Sequence, residues 1–261
     1  MHPFLFQAVI PFFLSALIVI IIMFIAERYG TKTGGILGTL PSTIVIAFVF
    51  IALNKDVNFA SQSAAVVPAE LGINIVFLFL FAILAHRSTY IAYAISITVW
   101  TLLSALLFIF NMENIFISLA IYAVPLVFTF IVLERVKKIP STSSVSIHYT
   151  PTKIALRGIL AGIVIASAVL LSNIHPVLSG IFSVFPAILS STMIISVREH
   201  GPDFAAGMAK SMIIGITSVM TYATAIHFLY PTVDIVYGSI LAYAISIIVT
   251  LIIFKLRSKI R

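Results

Sequence analysis

The sequence predicts an all-α polytopic membrane protein with about nine transmembrane helices. Of its 261 residues, 61% are hydrophobic and only 9% are charged, whereas charged residues make up about a quarter of a soluble domain. The length suffices for nine spans of roughly 20 residues each. Each span has to be helical, because lipid offers no other partner for backbone groups. This composition excludes a soluble enzyme and a nucleic-acid-binding protein.

Nine apolar segments follow one another along the chain, with approximate bounds 4–26, 34–53, 64–86, 89–110, 115–134, 154–172, 177–197, 205–229 and 234–255. The first is interpreted as a span and not as a signal peptide, because it lacks a basic leader and its apolar run is too long. The second and seventh segments contain Pro41 and Pro186. A proline inside a helix removes a hydrogen bond, so both segments are predicted to be broken helices.

Positive charge is unequally distributed between the loops that these spans create. Nine spans place 14 of the 15 Lys and Arg residues on one side of the membrane and only Lys55 on the other. The positive-inside rule then predicts a cytoplasmic C-terminus and an external N-terminus. We expect a multi-pass protein of the cell membrane, with residues 135–153 as a cytoplasmic linker.

The two halves of the chain resemble each other. An alignment of the halves without a gap, which we call the repeat alignment, matches Gly35, Ile36, Pro41, Phe59 and Ala60 with Gly180, Ile181, Pro186, Phe204 and Ala205. The hexamer AYAISI at 92–97 recurs at 242–247. Since five spans separate equivalent helices, the halves would cross the membrane in opposite directions. The sequence therefore predicts a 4+1+4 inverted-topology repeat, although a duplication kept only for packing is the alternative.

This repeat sets the expected division of the chain. Residues 1–110 form the first repeat, 111–153 hold a connector span and the linker, and 154–261 form the second repeat. Residues 185–215 have an FP pair opening an apolar span, a short charged loop with Arg and Gly, and a small-residue span. They resemble the small GlpM-like membrane proteins, with a weaker match at 40–70. The resemblance implies two such units fused head to tail, and it carries over no catalytic residue.

Small polar residues surround both predicted breaks. A mid-helix proline frees a backbone carbonyl, and freed carbonyls beside hydroxyls suit a desolvated cation or a polar solute. The alternative is that small residues permit close helix packing and that the hydroxyls bond to their own helix. The candidate pathway residues at the breaks are Thr39, Pro41, Ser42 and Thr43 in the first half, and Ser183, Pro186, Ser190 and Ser191 in the second.

Ionisable residues within spans mark functional sites by default. Glu70 lies inside the third span, with Asn74 one turn further on the same helical face. It is a candidate proton carrier or cation ligand, unless it is close enough to the outer interface to stay hydrated. In the eighth span, Lys210 leads a polar stripe with Thr217 and Thr221. Lys210 is the expected counter-charge, and the stripe lines a pathway or makes ordinary interhelical hydrogen bonds.

Two further groups of polar residues carry weaker signals. The fourth span has a stripe for which packing is the favoured interpretation, consisting of Tyr93, Ser96, Trp100 and Ser104. The loop after the seventh span contains a candidate divalent-metal site, formed by Glu199, His200 and Asp203. A mixture of such residues in a short loop also arises by chance.

The inverted repeat, the paired breaks and the intramembrane carboxylate together predict a secondary transporter. It would move a small polar solute or ion by alternating access around a midplane site, coupled to protons or cations. We find no catalytic or nucleotide-binding motif and no cysteine, so neither an enzyme activity nor a cofactor is predicted. The expected partners are the lipid bilayer and the transported solute. The sequence does not decide whether the chain forms a homo-oligomer. The alternatives are a passive channel and a non-transporting accessory protein in envelope assembly.

Overall fold

The computed structural model of the protein describes residues 5–38, 41–136 and 150–260. These residues are almost entirely helical, and no strand occurs within them. Eight helices are long and apolar enough to cross a membrane. The predicted fold class, an all-α multi-pass membrane protein, is therefore confirmed.

The helices fall into two groups separated by a single connecting helix. The first group contains α1 (Ile10–Gly38), α2 (Ser42–Asn54), α3 (Val57–Ala65), α4 (Val67–Leu84) and α5 (Thr89–Ile109). The connecting helix is α6 (Ile115–Ile131), which ends in a wider helical turn at Val132–Val136. The second group contains α7 (Pro151–Leu171), α8 (Pro176–Ser183), α9 (Ala187–His200), α10 (Pro202–Val233) and α11 (Ile235–Ile260).

Two of the membrane-spanning elements consist of two helices in succession. One extends from α3 to α4, with an interruption at Val66 just before Pro68. The other extends from α8 to α9, with the interruption at residues 184–186. Proline has no N–H to donate to the preceding turn, which explains why a helix restarts next to each proline. The break predicted at Pro186 lies where the sequence places it.

The first half differs from the prediction in the lengths of two spans. Helix α2 has 13 residues, which at 1.5 Å per residue is about 20 Å and too short for a hydrocarbon core of about 30 Å. The described residues therefore contain eight helices of spanning length, whereas the sequence predicts nine. Pro41 lies directly before the first residue of α2. The third predicted span begins earlier, at Val57, because α3 extends it in the N-terminal direction.

The two halves pack against each other through central helices. Helix α1 packs on α7, and α10 packs on α3 and α4, while α4 also contacts α5 and α6. Gly72 permits the close approach of α4 and α6, since a Cβ there would lie 3.0 Å from Ile121 O. Both Pro41 and Pro186 are buried. The two breaks therefore lie against protein, which is where non-helical backbone is tolerated in a membrane.

Candidate functional site

Glu70 lies midway along the span 57–84 and is fully buried. The Ser104 hydroxyl on α5 donates a hydrogen bond of 2.9 Å to Glu70 Oε1. Glu70 Oε2 has no hydrogen-bond partner among the described residues. The alternative that Glu70 stays hydrated near the outer interface does not fit this burial.

Asn74 connects the face of α4 that carries Glu70 to the break in the opposite half. Its Nδ2 donates a hydrogen bond of 2.8 Å to the Val184 carbonyl, which lies between α8 and α9 and two residues before Pro186. Asn74 is almost fully buried, and its Oδ1 has no partner in the part of the chain described. The structure thus places Glu70 and Asn74, predicted in the first half, on a helix face that contacts the break predicted at Pro186 in the second half.

Helix α5 contributes a second polar face to this site. The Trp100 ring lies edge-on to Phe185 of the break, with 4.9 Å between centroids. Its indole N–H lies near the Glu70 carboxyl without completing a hydrogen bond. Ser96, one turn before Trp100, is fully buried. The packing interpretation of this stripe is incomplete, because the Ser104 hydroxyl bonds to the carboxyl of Glu70.

We call Glu70, Asn74, Ser96, Trp100 and Ser104 the carboxylate cluster. Its polar atoms are a carboxylate, an amide, two hydroxyls and an indole N–H, all on α4 and α5 beside the break in the α8–α9 span. Polar groups in such a low-dielectric position interact strongly and are costly when they have no partner. Oxygen-rich surroundings of this kind suit a proton or a hard cation.

The other residues predicted at the breaks show a mixed result. Ser183 Oγ donates to the Gly180 carbonyl at 2.6 Å, and Ser191 Oγ donates to the Ile188 carbonyl at 3.0 Å. These two hydroxyls bond to their own helix, which is the alternative stated above. Ser190 differs, because it is buried and its Oγ has no partner within the described ranges.

In the first half, the residues predicted at the Pro41 break are less informative. Ser42 and Thr43 are half-buried at the start of α2, directly after Pro41. Thr39 lies outside the described residues. These residues therefore stay candidates on sequence grounds.

The stripe on α10 makes contacts that differ from those predicted. Lys210 forms an ion pair with Glu134 at the end of α6. Its partner is therefore Glu134 and not Glu70, for which the sequence predicts it as the counter-charge. Thr217 Oγ1 lies 2.8 Å from the Tyr122 hydroxyl, and Thr221 Oγ1 donates to the Thr217 carbonyl at 2.8 Å. Ordinary interhelical and intrahelical hydrogen bonds account for both threonines.

The three residues proposed as a metal site do not converge. Glu199 pairs with Lys153, and Asp203 Oδ1 lies 3.6 Å from His86 Nε2. His200 stacks on a neighbouring phenylalanine ring with 4.5 Å between centroids. No group of three His, Asp or Glu residues that could hold a metal occurs in the described parts of the chain. The metal hypothesis for this loop is not supported.

Sequence reasoning missed Arg157, which it counted only among the basic residues on the cytoplasmic side of the spans. Arg157 is 6% exposed on α7, and its Nη2 donates a hydrogen bond of 2.9 Å to Thr192 Oγ1 on α9. A signal was present, because Arg157 lies inside the predicted span 154–172. A charge within a span is functional by default, and that rule applies to Arg157 as it does to Glu70.

The bond between Asn74 and Val184 gives a first testable prediction. In Asn74→Leu the Val184 carbonyl loses its partner in an apolar environment, so we expect a loss of about 1–3 kcal/mol in the free energy of unfolding. Thermal unfolding in detergent measures it as a lower Tm. The matched control is Asn58→Leu in the same span, where the side chain is exposed and the expected change is within about 0.5 kcal/mol. Equal Tm values for the two variants would contradict the proposed role of the bond.

The chain matches no protein-family model, no curated protein and no solved structure. The resemblance of residues 185–215 to the GlpM-like membrane proteins stays a prediction. Function is therefore inferred from the chemistry of the carboxylate cluster and its position in the fold.

Proposed function

We propose that the protein is a secondary transporter of a small polar solute or ion, and that it works by alternating access around the carboxylate cluster. The observation that carries this proposal is the hydrogen bond from Asn74 to the Val184 carbonyl. Through it, the helix that carries Glu70 is attached to a broken span of the other half. A movement at the break would then change the surroundings of Glu70. Interrupted helices near the midplane are where secondary transporters bind substrate and coupling ions.

Local geometry supports the inverted repeat that alternating access requires. The repeat alignment places the first residue of α2 on that of α9, and the first residue of α3 on that of α10. Pro41 and Pro186, directly before α2 and α9, have nearly the same backbone angles, with φ −79° and ψ 46° against φ −78° and ψ 33°. Residues 91–100 and 241–250 also share one pattern of buried and exposed positions. These matches cover both the breaks and the helices that follow them.

Contacts between helix ends support opposite orientations of the two halves. Asn54 at the end of α2 accepts a hydrogen bond from Gln7 next to α1. Glu199, which the repeat alignment places on Asn54, pairs with Lys153 at the start of α7. Asn54 also donates a hydrogen bond of 2.7 Å to Ser172 Oγ directly after α7, so α2 and α9 finish at opposite ends of α7. We assign the end of α7 that contains Lys153 to the cytoplasmic side of the cell membrane, because most basic residues lie on that side.

The burial of Glu70 fits the occluded state of a transporter. Its side chain has no exposed surface, so the described conformation is closed to water at this residue. A transporter passes through such an occluded state between its outward-open and inward-open forms, whereas an open channel keeps a hydrated path. Two related halves around the site provide the two alternative arrangements.

Accessibility of introduced cysteines tests this proposal without knowledge of the substrate. The chain has no cysteine, so each variant carries a single thiol. We expect Ser104→Cys and Ser190→Cys to react with a membrane-impermeant thiol reagent added from either side of oriented vesicles. The control is Ser118→Cys on α6, because Ser118 is equally buried and lies outside the cluster. It should stay unreactive from both sides.

Two results would contradict alternating access. Reaction of both site variants from one side alone would indicate a one-sided binding protein. Passage of the impermeant reagent itself into the vesicle lumen would indicate a continuous pore. Reaction from both sides without such passage supports the transporter.

A further inference from the structure

Four buried polar atoms of the carboxylate cluster lack hydrogen-bond partners within the described chain. They are Glu70 Oε2, Asn74 Oδ1, Ser96 Oγ and Trp100 Nε1, and each belongs to a residue that is at most 5% exposed. More than nine in ten buried polar groups in proteins have a partner. Unpartnered buried atoms also occur elsewhere in the described chain, among them Ser15 Oγ and Tyr222 Oη, but this group is the one that includes a carboxylate oxygen. An unpartnered carboxylate is the most costly of these groups, so this is the place where another species would complete a site.

The hydrogen bond of Asn74 fixes which atom of its amide faces the site. A backbone carbonyl can only accept, so the amide nitrogen must be the atom that faces Val184. The amide oxygen is then left for another interaction. Because Asn74 lies one helical turn after Glu70, Glu70 Oε2 and Asn74 Oδ1 belong to the same face of α4. These two oxygens are both free to bind a positively charged species.

Helix α5 adds one group that lies near Glu70. The hydroxyl of Ser96 lies two helical turns before Ser104, the residue of α5 that contacts Glu70, and is too far along the helix to bind the same ion. The indole N–H of Trp100 can only donate, so it can approach the carboxylate of Glu70 but cannot hold a cation. The unpartnered groups near Glu70 therefore include two oxygens and one donor that is compatible with a carboxylate.

The charge of the cluster limits what can occupy it. Glu70 is the one buried carboxylate in the described part of the chain. The two buried basic residues interact elsewhere, Arg157 with Thr192 and Lys210 with Glu134. A divalent ion would leave an excess positive charge in a low-dielectric region, which is strongly unfavourable. A proton on Glu70 could satisfy the same two oxygens, because a protonated carboxyl can donate from Oε2 to Asn74 Oδ1, so the test below separates a proton from a metal cation.

We infer that the carboxylate cluster binds a desolvated monovalent inorganic cation through Glu70 Oε2 and Asn74 Oδ1. One positive charge neutralises the carboxylate and gives a partner to both orphan oxygens of α4. This inference deepens the proposed function and rests on it for the role of the ion in transport, but binding itself is measurable without transport.

The protein contains its own reporter for this site. Trp100 is the only tryptophan of the chain, and it lies in the cluster against Phe185 of the break. The experiment is a titration of the full chain in nanodiscs with NaCl, replacing choline chloride at constant ionic strength and pH. We expect a saturable change in Trp100 emission and a Tm that rises with NaCl, since a ligand bound only to the folded state stabilises it.

Three variants test the ligands. Glu70→Gln should abolish the sodium response, and Asn74→Leu should raise the apparent Kd by at least about tenfold, which is the effect of losing roughly 1.4 kcal/mol. The control is Asp203→Asn, because the Asp203 side chain is almost fully exposed and lies outside the cluster. It should keep the wild-type Kd.

The inference is overturned if neither emission nor Tm of the folded wild type depends on Na⁺, Li⁺ or K⁺ relative to choline. It is also overturned if only pH changes the emission, because the site would then take a proton. These results differ from failure of the transporter proposal. Two-sided cysteine labelling without a cation response keeps the transporter and removes the cation, whereas saturable sodium binding with one-sided labelling keeps the cation site and removes alternating access.

Discussion

Gly180→Ala is expected to lower the Tm of the purified protein by roughly 4–8 °C. A Cβ at this position would lie 2.1 Å from the Ser63 carbonyl oxygen and 2.5 Å from Val66 Cγ1. The nearest atom belongs to the backbone of α3, so α3 and α8 must move apart. Such overpacking costs about 1–3 kcal/mol or more, which exceeds the roughly 1 kcal/mol that alanine gains over glycine in a helix. A loss of about 2 kcal/mol corresponds to this Tm change in a chain of this size.

The matched control is the same substitution at Gly158 of α7. There the nearest atoms are 3.0 Å away and belong to the side chain of Ile20, which can move. We expect the stability of Gly158→Ala to stay within about 1 kcal/mol of the wild type. A smaller Tm loss for Gly180→Ala than for Gly158→Ala would show that the approach of α3 and α8 is not as close as the structure has it.

Gly180 also shows which part of this fold could be predicted from the sequence. The repeat alignment matches Gly180 with Gly35 and so indicates that this position in α8 is special. The order of the apolar segments follows from hydropathy, because lipid forces every span to be helical. A glycine in an apolar run does not identify its neighbour, however. The Ser63 carbonyl comes from a helix in the other half of the chain.

The position of Glu70 along its span was harder to predict, because it depends on where the preceding helix begins. Hydropathy begins the third span near residue 64, because Asn58 and Ser61 make the preceding segment polar. In the structure, Asp56 starts α3 by accepting a hydrogen bond of 2.8 Å from Phe59 N. That cap extends the span in the N-terminal direction and moves Glu70 from near its end to its middle. Helix caps are local signals that hydropathy averages do not contain.

The partners of the candidate site residues could not be predicted from spacing alone. The spacing of Glu70 and Asn74 shows a shared face, but it does not show that this face meets Ser104 and Val184. Lys210 illustrates the opposite case, since its opposite charge suggested Glu70 and the structure pairs it with Glu134. Which helices adjoin in a membrane depends on packing of small residues, and a single sequence does not specify it.

Glu70→Gln is expected to abolish transport while leaving the protein at least as stable as the wild type. Glutamine keeps an Oε1 acceptor for Ser104 and has nearly the same volume. It removes an ionisable group from the middle of a span, where such groups are unfavourable for stability and are retained for function. We expect the free energy of unfolding to be unchanged or up to about 2 kcal/mol higher. Flux should fall below about a tenth of the wild-type rate, an effect of at least roughly 1.4 kcal/mol on the barrier.

The measurement combines Tm values in detergent with currents from proteoliposomes on a solid-supported membrane. Concentration jumps of Na⁺, amino acids and organic anions supply the driving force. Asp203→Asn is the control, because it removes an exposed carboxylate and should change neither property. A Glu70 kept only for packing would leave the currents unchanged, because glutamine keeps its volume and its acceptor for Ser104. Loss of the currents at unchanged stability therefore indicates that the charge of Glu70 acts on the transported or coupling ion.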